Sequence, residues 1–209
     1  MKILAVDTTK KCAKVLIVDK KDKEKTYILE LNENIKHSEG LFLHIEKAML
    51  ETGVKVSDVD GFACVVGPGS FTGIRVGMAT IKGLNKVLQK SIISINSFDI
   101  LLPTLKNGLI LLNSTNTACY YAKVTKGKVV DTGMIDKSMV VDFVNGQEIV
   151  ILQEEQESIA VSYNKTKVIN NFNELLVNCI MEKMNTMQYG EFVPYYLALS
   201  QAERNLKNE

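Results

Sequence analysis

The chain has 209 residues, with 25 basic and 24 acidic side chains, a formal net charge of +1 and 46% hydrophobic residues. This balance excludes a disordered chain, which would be poorer in apolar residues and more lopsided in charge. It also argues against a module that binds nucleic acid through a large overall basic excess, and the length allows one large domain or two small ones.

The first hundred residues predict a regular order of elements. Three strands joined by short links predict an antiparallel meander, over Lys2–Thr9, Ala13–Lys20 and Glu24–Leu31. A helix, a strand buried on both faces, a second helix and a short strand follow, over Ser38–Glu51, Gly61–Gly67, Thr72–Gln89 and Ser91–Asn96. The order is β-β-β-α-β-α.

The second half predicts a degraded copy of the same order. The expected elements are three strands, a short helix, two strands and a helix, over Gly108–Ser114, Cys119–Lys126, Val129–Ile135, Lys137–Val144, Ile149–Gln153, Lys167–Asn170 and Phe172–Met187. We therefore predict an α/β fold with the duplicated architecture of actin, hexokinase and Hsp70 (the ASKHA fold). The predicted domains are residues 1–100, residues 101–190 and a tail, residues 191–209, with a helix over Ser200–Lys207.

A glycine-rich junction is the strongest local signal. The turn Gly67-Pro68-Gly69-Ser70-Phe71-Thr72 leads from a buried strand into a helix that carries Gly73 and Gly77. Such a junction presents free backbone N–H groups that suit an anion, but the spacing fits neither the P-loop nor the GxGxxG fingerprint. The alternative is purely geometric: Gly67 and Gly69 form the turn, and Gly73 and Gly77 let another helix approach closely.

The two helices of the first half are apolar over more than one face. On the first helix, one core-facing stripe is predicted, formed by Leu41, Phe42, Ile45, Ala48 and Met49. A helix that is apolar on two sides is sandwiched or meets a partner, so this pair predicts a docking surface. The expected partner-contacting residues are His37, Leu43, His44, Lys47, Leu50, Gly73, Ile74, Arg75, Gly77, Met78 and Ile81.

Few residues suggest catalysis. Asp7-Thr8-Thr9, at the first hairpin, is either a vestigial phosphate-binding turn or an ordinary Asx turn. The second half lacks the adjacent glycines that clamp a nucleotide in phosphotransferases of this architecture. His37 and His44 lie two helical turns apart, too far to share a metal ion, and no GxSxG elbow occurs. We expect no catalytic and no metal-binding residue.

Other features predict the surroundings of the protein. Cys12, Cys64, Cys119 and Cys179 form no CxxC pair, and their apolar neighbours predict buried free thiols. Glu154-Glu155-Gln156-Glu157 predicts a solvated acidic surface. No apolar run is long enough for a signal peptide or a membrane span, so a cytosolic protein without membrane contact is expected.

Four motifs together resemble a known family. The chain is similar to the TsaB (YeaZ) family, whose older label is glycoprotease-like, in four motifs: VDTT at Val6–Thr9, HSE at His37–Glu39, GPGSFTGIRVG at Gly67–Gly77, and PYYL at Pro194–Leu197 with SQAE at Ser200–Glu203. The resemblance implies a subunit of the machinery that makes threonylcarbamoyladenosine (t6A) in tRNA. It implies a non-catalytic scaffold that forms a heterodimer with TsaD, is joined by TsaE, and leaves ATP or ADP and metal to the partner subunits. The docking surface of the two helices of the first half is expected to form a homodimer when the chain is alone.

The chain departs from the family pattern in its second half. Asn113-Ser114-Thr115 and Tyr120-Tyr121 replace the usual Asp-Ala-Arg and Val-Tyr, and Ala198 replaces an arginine. The resemblance therefore does not assign these positions a role toward TsaE or tRNA. Two other functions stay open: a small acyl or phosphoryl transferase with its own nucleotide site, and a peptidase.

Overall fold

The computed structural model describes residues 1–21, 26–31, 37–159, 163–186 and 191–197. The chain divides into two compact units. The first unit holds Met1–Asn96 and Leu176–Tyr195, and the second holds Ser97–Leu175 with the described residues from Tyr196 on. Among the described residues, none of the helices is both long and apolar enough to cross a lipid bilayer.

The first unit contains a mixed five-stranded sheet with two long helices. Its strands are β1 (Lys2–Asp7), β2 (Lys14–Asp19), β3 (Tyr27–Glu30), β4 (Gly61–Gly67) and β5 (Ser91–Asn96), in the spatial order β3-β2-β1-β4-β5. The first three strands pair antiparallel, whereas β4 and β5 run parallel to β1. The two helices are α1 (His37–Thr52) and α2 (Phe71–Leu88).

The second unit contains another mixed five-stranded sheet. Its strands are β6 (Gly108–Asn113), β7 (Ala118–Thr125), β8 (Lys128–Asp136), β9 (Glu148–Leu152) and β10 (Thr166–Ile169), in the order β10-β9-β6-β7-β8. The helices of this unit are α3 (Ser97–Leu101), α4 (Val140–Val144) and α5 (Gln156–Ile159). The last helix, α6 (Phe172–Thr186), belongs to the first unit from Leu176 on. Short 3-10 turns precede α4 and α5.

The two sheets have the same topology. Reading the second sheet as β8-β7-β6-β9-β10 reproduces the order β3-β2-β1-β4-β5 strand for strand, with the same parallel and antiparallel pairs. The predicted duplication of a β-β-β-α-β-α unit, and with it the ASKHA fold class, is confirmed.

The core of the first unit follows directly from the apolar pattern. All seven residues of β4 are buried, since the strand lies between β1 and β5 in the sheet and α2 packs against it. On α1, the residues Leu41, Ile45 and Ala48 recur at helical spacing and are buried against the sheet.

Some elements differ from the predictions. Predicted ends shift by one to three residues in most strands, and the sequence did not predict α3 or α5. The acidic segment at 154–157 is mostly exposed, as predicted, yet it contains the start of α5, which Ile159 anchors in the core. The predicted tail helix over Ser200–Lys207 lies outside the described residues.

The prediction of four buried cysteines is correct for three of them. Cys64, Cys119 and Cys179 are buried free thiols, whereas Cys12 is half-exposed because it lies in the turn between β1 and β2. Burial raises the pKa of Cys119 to about 11 and raises the pKa of Cys64 well above its ordinary range.

The buried thiols predict that stability decreases at alkaline pH. Above pH 9 the unfolded chain releases thiol protons that the folded chain keeps, so the free energy of unfolding falls as the pH rises toward the folded pKa. Between pH 8.5 and 10.5, we expect urea denaturation under reducing conditions to show a fall in the free energy of unfolding that is about 2 kcal/mol smaller in Cys119→Ala than in wild type. An equal fall in the free energy of unfolding in both proteins would contradict a raised pKa of Cys119 in the folded chain.

Candidate functional site

The glycine-rich junction folds around the turn that follows β1. The Thr8 hydroxyl donates to the Gly73 carbonyl at 2.6 Å, and the Ser70 N–H donates to the Thr9 carbonyl at 2.8 Å. The Ser70 hydroxyl in turn accepts from the Gly73 N–H at 3.2 Å and caps α2. The motif therefore fixes the start of α2 on the end of β1.

This close packing explains why three of the positions are glycine. A Cβ at Gly69 would lie 2.6 Å from the Thr9 Cβ, and one at Gly73 or Gly77 would overlap the Thr8 carbonyl or hydroxyl oxygen. The geometric interpretation of the motif is thus supported, with one correction. The neighbour that Gly73 and Gly77 admit is the turn after β1 and not another helix.

The first glycine of the motif meets a segment from far along the chain. The Tyr195 N–H donates to the Val66 carbonyl at 2.8 Å, and the Tyr195 carbonyl oxygen leaves no room for a Cβ on Gly67. Gly67 has a φ of +116°, and its bond to Pro68 is cis. Gly67 of the glycine motif and Tyr195 of PYYL, which lie 128 positions apart in the sequence, are therefore in direct contact.

Asp7 leaves one oxygen open in this turn. Its Oδ1 accepts from the Thr9 N–H at 2.9 Å and from the Thr9 hydroxyl at 2.7 Å. Its Oδ2 is buried and accepts no hydrogen bond from any described residue. A carboxylate oxygen suits a hydrogen-bond donor or a cation and does not itself suit a phosphate oxygen. The vestigial phosphate role of Asp7, Thr8 and Thr9 stays a prediction.

One face of α1 is apolar and exposed. Phe42, Leu43 and Leu50 are 56%, 64% and 76% exposed, and the charged residues Glu46 and Lys47 lie on the same side of the helix. Large apolar side chains that cluster on an exposed surface mark interaction sites more often than isolated ones do.

The exposed face of the neighbouring helix α2 carries small and basic side chains. It carries Arg75, Ala79, Gly83 and Val87, of which Val87 is 83% exposed. The Arg75 guanidinium lies 4.0 Å from the centre of the Phe71 ring. Nothing lies within 4 Å of the position that a Cβ on Gly83 would occupy. Small residues of this kind let a partner helix approach closely.

The structure divides the predicted docking residues into two groups. Leu43, Lys47, Leu50 and Arg75 are exposed. Five others are buried within the first unit, so their contact with a partner stays a prediction: Gly73, Ile74, Gly77, Met78 and Ile81. The apolar width of α2 made both of its sides look available, but one side packs on β1 and β4.

His44 contributes little to this surface. His44 is half-buried, and its Nδ1 lies 2.8 Å from the Gly40 carbonyl of its own helix. The side chain of His37 lies outside the part of the chain that the structure describes. Among the described residues, His, Cys, Asp and Glu form no group of three that could hold a metal ion.

The exposed face is larger than the predicted one. Phe42, predicted in the core stripe, is more than half exposed, and the exposed face of α2 also includes Ala79, Gly83 and Val87, which the list of expected docking residues does not contain. Helical geometry rotates each residue by about 100° from the one before, so Phe42 could have been separated from the stripe that begins at Leu41.

Comparison with known proteins gives the chain its relatives. Residues 33–199 match the family described as TsaD, tRNA N6-adenosine threonylcarbamoyltransferase. The chain is 28% identical over 133 residues to the tRNA threonylcarbamoyladenosine biosynthesis protein TsaB of Haemophilus influenzae, covering 61% of this chain and 55% of that protein. It is 36% identical over 94 residues to a tRNA N6-adenosine threonylcarbamoyltransferase of Jannaschia sp., covering 42% of this chain and 26% of that enzyme.

Solved structures show the same fold. YeaZ from Pseudomonas aeruginosa superimposes with a TM-score of 0.71 at 17% identity, covering 94% of this chain and 99% of that one. The resemblance to TsaB and YeaZ that the motifs indicated is thus confirmed. The alignments to the two curated relatives cover 26% and 55% of their lengths, so this chain matches only part of each.

Proposed function

Because the chain belongs to the TsaD family of tRNA N6-adenosine threonylcarbamoyltransferases, we propose that it serves this reaction as a non-catalytic subunit that docks onto a TsaD catalytic subunit. The observation that carries the proposal is the exposed apolar face of α1, where Phe42, Leu43 and Leu50 are all more than half exposed. Burial of large apolar side chains by a partner contributes most of the favourable free energy of binding.

The charges of the two helices favour a partner surface that is apolar at its centre and acidic on one side. The described exposed face of α1 carries Glu46, Lys47 and Glu51, whereas that of α2 carries Arg75, Lys82 and Lys86 and no acidic residue. A partner with a central apolar patch, flanked by acidic groups opposite α2, would match it. An interface of standard size would bury about 1,600 Å² in total.

The proposed non-catalytic role is supported by the glycine-rich junction. Its hydroxyls and carbonyls are used to hold α2 on β1, as in the bond from Thr8 to Gly73. The sequence of the second half lacks adjacent glycines that would clamp a nucleotide. We propose that ATP or ADP and the metal ion bind to the partner subunits and that TsaE joins the pair. We further propose that the complex acts on tRNA in the cytoplasm and that the chain alone forms a homodimer through the same face.

Reconstitution of tRNA modification tests the function. Purified chain, TsaD of the same organism, and both together are each supplied with TsaE, ATP, threonylcarbamoyl-adenylate and an unmodified tRNA transcript. We expect t6A to form only when the chain and TsaD are both present, because docking completes the catalytic subunit. Product from the chain without TsaD would instead support a transferase with its own nucleotide site. Equal product from TsaD with and without the chain would refute the scaffold role.

A further inference from the structure

One edge of the second sheet is rich in lysine. The parallel strands β6, β9 and β10 all begin there, and the hairpin between β7 and β8 turns there. The segments that form this edge are residues 104–108, 125–128, 145–148 and 163–167, and they contain five lysines and a single acidic residue, Glu148. The five lysines, called the lysine edge below, are all exposed: Lys106, Lys126, Lys128, Lys165 and Lys167.

Hydrogen bonds tie the hairpin to the neighbouring loop. The Gly127 N–H donates to the Lys106 carbonyl at 2.8 Å, and the Lys126 N–H donates to Asn107 Oδ1 at 3.0 Å. Lys126 and Gly127 have φ values of +52° and +71°, as a tight two-residue hairpin turn requires. The backbone beneath three of the lysines is therefore fixed.

The other two lysines are held by their own ammonium groups. Lys165 Nζ donates to the Gly146 carbonyl at 2.8 Å, and Lys167 Nζ donates to the Thr104 carbonyl at 2.9 Å. Neutral carbonyl acceptors position these ammonium groups without cancelling their charge. Within the described ranges, none of the five lysines forms a salt bridge with a carboxylate.

The opposite edge of the same sheet is acidic. It carries Asp136 at the end of β8 and Glu154, Glu155 and Glu157 after β9, against a single lysine in these segments, Lys137. The second sheet is therefore polarised along its strands, and an anionic partner would be attracted to the lysine edge and repelled from the other edge.

We propose that the lysine edge binds the phosphate backbone of an RNA. Five strands at a spacing of about 4.8 Å make the edge about 19 Å wide, enough for several consecutive phosphates, and ammonium groups bind phosphates as point charges. The edge offers no large exposed apolar side chain, since Leu105 is buried and Tyr163 half-buried. Without an apolar side chain to insert, this composition does not suit insertion into a membrane interface or the apolar centre of a protein interface. That the RNA is a tRNA rests on the proposed function.

Binding of a tRNA transcript under varied salt tests the proposal. Fluorescence anisotropy compares the wild-type chain with a triple variant, Lys106→Gln, Lys126→Gln and Lys128→Gln, both alone and mixed with TsaD. Loss of three phosphate contacts should weaken binding about 10- to 100-fold at moderate salt and reduce the slope of log affinity against log salt by about 2 to 3. The matched control removes three exposed lysines of the first unit, Lys20→Gln, Lys21→Gln and Lys55→Gln, and should retain affinity and slope.

Several outcomes would overturn the proposal. They are equal affinities of the triple variant and the control, absence of tRNA binding by the wild type both alone and with TsaD, and binding of anionic phospholipid vesicles in place of tRNA. Size-exclusion chromatography of the same mixtures measures complex formation with TsaD separately. A triple variant that forms the complex but loses tRNA supports the proposal. A wild-type chain that binds tRNA through the lysine edge without forming the complex supports it too, and refutes only the docking role.

Discussion

Replacing Gly73 with alanine should destabilise the first unit by about 3 kcal/mol or more. The new methyl group would overlap the carbonyl oxygen of Thr8, which is backbone and cannot rotate away. The same change would disturb the 2.6 Å hydrogen bond from the Thr8 hydroxyl to the Gly73 carbonyl. Guanidinium denaturation followed by circular dichroism measures the effect as a lowered midpoint, and an unaltered midpoint would contradict the packing described for the glycine motif.

Gly83 provides a control on the same helix. It is exposed, and nothing lies within 4 Å of its missing Cβ. Gly83→Ala should therefore stabilise α2 by about 0.5–1 kcal/mol, the usual gain in helix propensity. Stability changes of opposite sign at these two glycines, ten positions apart on one helix, would distinguish the effect of close packing from that of helix propensity.

Introducing charge on the exposed face of α1 should abolish complex formation with TsaD. In Leu43→Asp combined with Leu50→Asp, two carboxylates would be desolvated at the interface, so the dissociation constant should rise at least about 100-fold. Because Leu43 and Leu50 are 64% and 76% exposed in the isolated chain, the stability of that chain should change by less than about 0.5 kcal/mol per site. Size-exclusion chromatography of the mixture should show the two proteins eluting separately.

The control for this variant places the same charges on the second unit. Val130 and Met139 are 57% and 59% exposed, so Val130→Asp combined with Met139→Asp alters exposed apolar side chains of similar accessibility. This variant should still co-elute with TsaD. Co-elution of the α1 variant, or loss of the complex in the control, would show that the docking face lies elsewhere.

Much of the fold was predictable because the relevant forces are local in sequence. The continuous apolar run of β4 predicts a strand buried on both faces, and its bounds, Gly61–Gly67, agree with the structure. The duplicated topology followed from element order alone. By contrast, α5 is a single helical turn that begins within the acidic segment. Only its Ile159 reaches the core, so the sequence shows no apolar periodicity that would predict it.

The site was less predictable because it depends on contacts between distant segments. The sequence indicated that Gly73 and Gly77 admit a close neighbour, but it could not identify Thr8 as that neighbour. Likewise, Ile74 and Ile81 are apolar whether a sheet or a partner covers them. Only the position of α2 on β1 and β4 decides which of its two apolar sides stays exposed.

Hydrogen–deuterium exchange of the chain with and without TsaD tests the central claim most directly. If the exposed faces of α1 and α2 form the docking surface, complex formation should slow amide exchange in the α1 segment His37–Thr52 and in the second half of α2. Exchange in α4, Val140–Val144, should stay unchanged. Slower exchange in the second unit, with unchanged exchange in α1 and α2, would contradict the assignment of the docking surface to these two helices.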